Sequence, residues 1–377
     1  KVEDDIADQV RAFIEENDLQ GFIYLTDDSK RYYPYSTTAS QVIGFVNGEN
    51  EGSYGLEALY NTELSGEDGR TIFAKNASGK EVPSAYSSYS DAINGYNVHT
   101  TIDSTIQMLC EKTVEEGIRK FDVTNGAFCI VMNPKTAEVL AMVSYPDFDL
   151  NDPSAVVDVT EAATLNKMKK NGAVTEEELA DAISQAQFKQ WSNKCLNTSY
   201  EPGSTFKPIV VAAALEEGVV CEDDTFSCSG VVNVAGWNIR CSARRGHGTQ
   251  NLRKAVMNSC NPALINIGQR LGAEKFYEYW ENFGFTDTTG IELPGEQKSV
   301  FWDKEEFVSP AGIASLATAS FGQRFTTTPI QLITALSACI NGGHLMEPYV
   351  VQSVTDTQGN VVSYHEPNAV PQVISQE

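Results

Sequence analysis

A serine and a lysine stand three residues apart in the stretch Glu201-Pro-Gly-Ser-Thr-Phe-Lys-Pro208. Glycine and proline break the chain ahead of them, and the apolar run from Pro208 to Glu217 continues until Gly218. That pattern predicts a helix with Ser204 at its N-terminus and Lys207 one turn later on the same face. The positive end of a helix favours an anionic oxygen and disfavours a protonated amine, which is the help a serine needs to act as a nucleophile. The bland reading of the same residues is an N-cap serine beside a solvated lysine. A second polar pair, Ser259 and Asn261 in Met257-Asn-Ser-Cys-Asn-Pro262, reads by itself as a helix cap.

The third candidate is rich in thiols. Four of the 8 cysteines fall between residues 221 and 260, and Cys228, Cys241, His247 and Cys260 follow the spacing C-x12-C-x5-H-x12-C. Three thiolates and an imidazole suit tetrahedral Zn²⁺, although the spacing is not that of a zinc finger. Buried free thiols or a Cys228–Cys241 disulfide are the alternatives, and Cys221, Asp223 or Asp224 could replace a ligand. A zinc held by four protein ligands has no open position for water, so it would be structural. Cys110, Cys129, Cys195 and Cys339 lie in apolar or helical contexts and read as core residues. His99, His344 and His365 form no Ser-His-Asp grouping with any serine.

These groups need elements to hold them. A chain of 377 residues with 41% hydrophobic and 21% charged residues is expected to form two domains. Its net charge of −24, from 51 acids and 27 bases, argues against nucleic-acid binding, which needs basic surface. No apolar run approaches the ~18 residues of a membrane span. The chain opens on Lys1 without a signal peptide, so the expectation is an internal start whose targeting segment lies elsewhere.

An acidic helix is predicted over 4–17, followed by a turn-rich middle and a Gly/Ser/Tyr-rich stretch over 77–96. An alternating strand over 97–103 leads into an N-capped helix over 103–120. Residues 126–132 and 138–144 form a hairpin about the turn Asn133-Pro-Lys-Thr136. Polar helices are expected within 154–192, and others at 252–259, 262–271, 274–283 and 329–341. A mainly antiparallel sheet flanked by many helices is the α+β class.

In order and spacing, further pieces accompany these motifs. They are Arg31-Tyr-Tyr-Pro34, Gly44-Phe-Val, Gly55-Leu-Glu57, Leu64-Ser-Gly66, Thr101-Ile-Asp103 and Pro146-Asp-Phe-Asp149-Leu-Asn151. Downstream stand Phe283-Gly-Phe, Thr289-Gly-Ile-Glu-Leu-Pro-Gly-Glu296, Phe321-Gly-Gln323 and Thr328-Pro-Ile-Gln331. Together they resemble the class B penicillin-binding proteins, membrane-anchored peptidoglycan D,D-transpeptidases, over nearly the whole chain. The resemblance implies an α+β penicillin-binding/serine β-lactamase-like transpeptidase domain over 97–377 and a small pedestal, or dimerisation-like, domain over 1–96.

The resemblance also implies roles. Ser204 would attack the penultimate D-Ala carbonyl of a stem peptide, and Lys207 would take its proton. Ser259 would relay a proton to the leaving amine, Asn261 would orient the substrate and Lys207, and the Ser204 N–H would be one oxyanion donor. Implied partners are stem peptides as donor and acceptor, β-lactams as covalent inhibitors and a cognate membrane glycosyltransferase. The implied location is the extracytoplasmic face of the cell membrane, with a part in elongation, division or sporulation. No cofactor is implied for catalysis, and some thiol-bearing members hold zinc near the site.

The family's third motif, K-[ST]-G, does not occur in this sequence; Lys298-Ser299-Val300 lacks the glycine. The expectation is that the strands carrying it, like the anchor, lie beyond the ends of this chain, and that the polypeptide alone lacks a complete site. A serine β-lactamase, a D,D-carboxypeptidase, and a non-catalytic scaffold or β-lactam sensor are the rival readings.

Overall fold

The computed structural model describes residues 2–26, 28–72, 74–75, 81–82, 88–171 and 174–376. Helices begin where the sequence supplies caps. The Asp103 carboxylate accepts hydrogen bonds from the N–H groups of Thr105 and Ile106 at the head of Ser104–Phe121. Thr175 and Glu178 form a reciprocal capping box on Glu176–Trp191, and Thr328 with Gln331 does the same on Pro329–Ala338. The acidic helix spans Asp4–Glu16, and the central helices are Leu252–Met257, Asn261–Leu271 and Ala273–Asn282. Sequence periodicity missed the helices Lys304–Val308 and Ile313–Ala319. Each is under three turns long, too short to establish a 3.6-residue pattern.

The predicted hairpin is present: Ala127–Met132 pairs antiparallel with Val139–Tyr145. Asn97–Thr100 pairs antiparallel with Val351–Thr355, which takes Val361–Tyr364 on its other edge. The two assemblies meet through the Val139 N–H on the Tyr349 carbonyl and the Asp103 N–H on the Leu140 carbonyl. Instead of one continuous sheet, the described residues form two- and three-stranded pieces whose named strands all pair antiparallel. Two small antiparallel pairings were not foreseen: the hairpin of Val231–Val234 with Trp237–Arg240, and Thr225–Cys228 with Gly248–Asn251 on either side of it in the chain. Of the Gly/Ser/Tyr-rich stretch, residues 77–80 and 83–87 lie outside the described residues, while Ser88–Ser90 pairs with Arg70–Ile72.

The larger core gathers rings around Phe206, whose centroid lies 4.9 Å from Phe325, 5.5 Å from Phe285 and 6.1 Å from Trp280. A second core joins Val139 and Met142 of the hairpin to Leu196, Ile330 and Val350. A small third cluster packs Tyr33 and Phe45 on Phe148 and Leu150. Around it, Asn151 Nδ2 donates to the Tyr33 carbonyl (2.9 Å), and Arg31 Nε meets the buried carboxylate of Glu57 at 2.6 Å. The Arg-Tyr-Tyr-Pro and Gly-Leu-Glu pieces of the sequence are thus structural joints.

Candidate active site

Ser204 stands in a single 3-10 turn, Gly203–Phe206, that runs into the helix Lys207–Glu216. Two contacts hold the turn. Phe206 plugs into the aromatic core at 2% exposure. The Gly203 N–H donates to the Gly322 carbonyl at 2.8 Å, and a Cβ on Gly322 would fall 1.9 Å from the Gly203 carbonyl oxygen. Gly322 also has φ +81°, so only glycine lets the two backbones approach this closely. The result is an exposed Ser204 side chain one turn ahead of a buried Lys207.

Lys207 Nζ makes three hydrogen bonds of 2.8 Å: to the Ser259 carbonyl, to Ser259 Oγ and to Asn261 Oδ1. Ser259 Oγ in turn lies 2.9 Å from Ser204 Oγ. Among the described residues no hydrogen bond joins Lys207 directly to Ser204; the two are linked through Ser259. Ser259 is not a cap either: Cys260 occupies the N-cap position of Asn261–Leu271, without a side-chain cap bond. Ser259 adopts φ +47°, a left-handed conformation unusual for serine, and from it offers both its carbonyl and its hydroxyl to Lys207. Asn261 Nδ2 donates to the Arg240 carbonyl at 3.2 Å, which leaves Oδ1 for the lysine.

Burial lowers the Lys207 pKa below that of a free lysine, while the nearby thiols of Cys241 and Cys260 oppose the shift. With Lys207 neutral, these contacts could carry the Ser204 proton to Ser259 Oγ as the Ser259 proton moves to Lys207 Nζ, which is what activation of a serine nucleophile requires.

Cys228, Cys241, His247 and Cys260 come together with all their ligand atoms within 4.8 Å of one another. Cys241 Sγ lies 3.6 Å from His247 Nδ1, close to the ~3.5–3.6 Å sulfur–nitrogen edge of a tetrahedron with Zn–S near 2.3 Å and Zn–N near 2.0–2.1 Å. The three thiols are buried and the imidazole half-buried, so the donor set fits a closed structural site. Burial pushes the Cys260 thiol up to about 12, with the Cys228 and Cys241 thiols adding to the rise. Burial also raises Cys241, but backbone N–H groups of Ala243 and Asn261 outweigh it and bring that thiol below its ordinary value. All eight cysteines are free, so the Cys228–Cys241 bridge is absent. None of the three substitute ligands is in the cluster: Cys221 and Asp223 are exposed, and Asp224 pairs with Arg270 at 3.1 Å. Of the cysteines expected in the core, Cys195 is fully buried and Cys110, Cys129 and Cys339 are half-buried.

The Lys298-Ser299-Val300 look-alike is committed elsewhere. Lys298 pairs with Asp287 at 2.7 Å, Ser299 Oγ donates to Gln331 Oε1 at 2.8 Å, and Val300 pairs with Thr326. Sequence reasoning missed the structural parts of Gly322, Phe206 and the Arg240 carbonyl. Phe206 and Gly322 belong to the Glu201–Pro208 and Phe321–Gln323 motifs, where residue type alone does not show what each packs against. A backbone carbonyl leaves no trace in residue type.

The penicillin binding protein transpeptidase domain profile matches residues 127–377, and that of the penicillin-binding protein dimerisation domain matches residues 1–100. Stage V sporulation protein D of Bacillus subtilis is 36% identical over 379 residues, covering 100% of this chain and 53% of that protein. Peptidoglycan D,D-transpeptidase FtsI of Escherichia coli is 26% identical over 332 residues, covering 88% of this chain and 49% of that protein. The chain thus spans about half the length of these curated relatives. Among solved structures, a peptidoglycan synthetase from Bifidobacterium adolescentis superposes with TM-score 0.72 at 24% identity, covering 98% of this chain and 60% of that one. The ampicillin complex of a mycobacterial penicillin-binding protein 3 superposes with TM-score 0.70 at 22% identity, covering 93% of this chain and 66% of that one.

Proposed function

The chain belongs to the class B penicillin-binding proteins, and from that premise we propose that it carries the acylation site of a peptidoglycan D,D-transpeptidase that β-lactams inhibit. The observation that carries this reading is the unbroken Lys207–Ser259–Ser204 chain of short contacts, with Asn261 clamping the lysine. Ser204 Oγ attacks the penultimate D-Ala carbonyl as its proton moves through Ser259 to Lys207. The same relay returns a proton to the nitrogen of the departing D-Ala, leaving an ester on Ser204. An acceptor amine then attacks that ester, gives up its proton along the same path and restores the serine. The Ser204 N–H serves as one oxyanion donor.

Four further assignments belong to this reading. The division near residues 96/97 is supported by the strand pairing that begins at Asn97. The four-residue cluster would hold a structural zinc, which would cross-link the two unforeseen strand pairs to the Ser259–Asn261 segment. The greater likeness to the sporulation protein than to FtsI favours a part in sporulation. Membrane anchorage, an extracytoplasmic site and a glycosyltransferase partner are supported by the class alone; no helix of the described residues is long and apolar enough to cross a membrane.

The test is labelling of the full-length protein with a fluorescent penicillin beside a Ser204→Ala variant. A covalent label that vanishes in the variant is expected. A folded protein that takes no label, or one whose label survives the substitution, overturns the reading.

A further inference from the structure

No Asp or Glu occurs from Thr225 to Ala273, in a chain that carries 51 acids. The same stretch holds Arg240, Arg244, Arg245, Arg253, Lys254 and Arg270. Arg270 is paired with Asp224; the other five are exposed, and none has an ion pair among the described residues. Like charges gathered without partners oppose folding slightly, so their grouping calls for a reason other than stability.

Three of the five stand beside the serine site. Arg240 receives the Asn261 side-chain amide on its own carbonyl at 3.2 Å. Arg244 and Arg245 lie on the loop from Cys241 to His247, both of which share the cluster with Cys260, the residue between Ser259 and Asn261. That loop is held tightly: the Gly246 N–H donates to the Ala243 carbonyl at 2.8 Å, and a Cβ on Gly230 would meet the Arg244 carbonyl at 2.3 Å. A fixed backbone carrying three exposed guanidinium groups without ion-pair partners among the described residues offers carboxylates a place to bind beside the site.

We propose that Arg240, Arg244 and Arg245 form a recognition rim for free carboxylates on the peptide that enters the Ser204 site, selecting carboxylated over amidated peptides. This rests on the transpeptidase reading of that site. The size of the rim and the charge of the rest of the molecule choose the occupant. Three guanidinium groups match one or two carboxylates through bidentate pairing. A long polyanion would have to run on from the rim across a protein of net charge −24, whose field repels it.

The experiment measures anisotropy of fluorescent peptides ending in D-Ala-D-Ala, identical except for carboxylate or carboxamide along the stem, on the full-length protein. The carboxylated peptide is expected to bind about tenfold tighter at low salt, the sum of a few partly exposed ion pairs, and the gap to close at high salt. Arg244→Gln/Arg245→Gln is expected to remove most of the preference while labelling by penicillin at Ser204 stays as in the parent. The charge reversal Arg244→Glu is expected to favour the carboxamide. Equal binding of both peptides to the parent, a preference that survives the double substitution, or a poly(glycerol phosphate) that displaces the peptide at lower concentration than the free peptide does would each overturn the proposal. A parent protein that takes penicillin at Ser204 yet binds both peptides equally removes the rim alone. A parent protein that takes no penicillin removes the transpeptidase reading and this inference with it.

Discussion

At the scale of residues, the site turns on the charge of Lys207. As an ammonium it can donate three hydrogen bonds, and the three acceptors around it match that number. It can accept a proton only after losing one. Because burial lowers its pKa, the neutral form becomes available at lower pH than for an exposed lysine. The rate of acylation by penicillin is therefore expected to rise with pH through a midpoint below the ~10.4 of a free lysine, and the profile to lose that limb in Lys207→Gln. Stopped-flow acylation across pH measures both. Since Ser259 Oγ is the link between Lys207 and Ser204, Ser259→Ala should slow acylation by about 10²-fold or more while leaving the melting temperature close to that of the parent. A variant that acylates at the parental rate would show that the lysine reaches Ser204 without the relay.

At the scale of elements, the nucleophile is placed by a turn clasped between two others. The 3-10 turn is too short to hold itself; Phe206 anchors it to the ring cluster, and Gly322 meets it backbone to backbone. In Gly322→Ala a methyl group would fall 1.9 Å from the Gly203 carbonyl oxygen, and backbone cannot yield as a side chain can. The turn must shift. A displacement of about 1 Å in a reacting group costs on the order of 10² in rate, so penicillin acylation is expected to fall by that factor. The far-ultraviolet circular dichroism should remain that of the parent, because helix Lys207–Glu216 is held separately by its buried Ile209, Val210 and Ala213. Parental acylation in Gly322→Ala would mean that the turn is positioned by Phe206 alone.

At the scale of the whole molecule, two small strand pairs, neither long enough to be stable by itself, meet the Ser259–Asn261 segment at the Cys228, Cys241, His247 and Cys260 cluster. A metal bound only by the folded state adds to stability by mass action. The full-length protein purified without chelator is expected to contain one zinc per chain by elemental analysis. Prolonged dialysis against a strong chelator should lower both the melting temperature and the rate of penicillin acylation, and Cys228→Ser should reproduce both effects. Absence of metal from protein that labels fully with penicillin would leave the cluster as four packed side chains.

Much of this was already decided in the linear sequence. Helix starts at Asp103, Thr175 and Thr328, the hairpin over 127–145, and the Ser204/Lys207 pair one turn apart all follow from neighbours within a few residues, where capping, turn chemistry and periodicity act. The grouping of Cys228, Cys241, His247 and Cys260 was legible too, because three thiols and an imidazole have little other chemistry in common. Tertiary structure alone decided the order of the Lys207–Ser259–Ser204 chain. Ser259 lies 55 residues beyond Ser204, and only the packing of helix Asn261–Leu271 against helix Lys207–Glu216 sets its hydroxyl between the lysine and the serine. The grip of Gly322 on the nucleophile turn, the Arg240 carbonyl on Asn261 and the breaking of the sheet into separate ladders are likewise contacts between backbones distant in sequence. Backbone atoms are the same in every residue, so no residue type announces them.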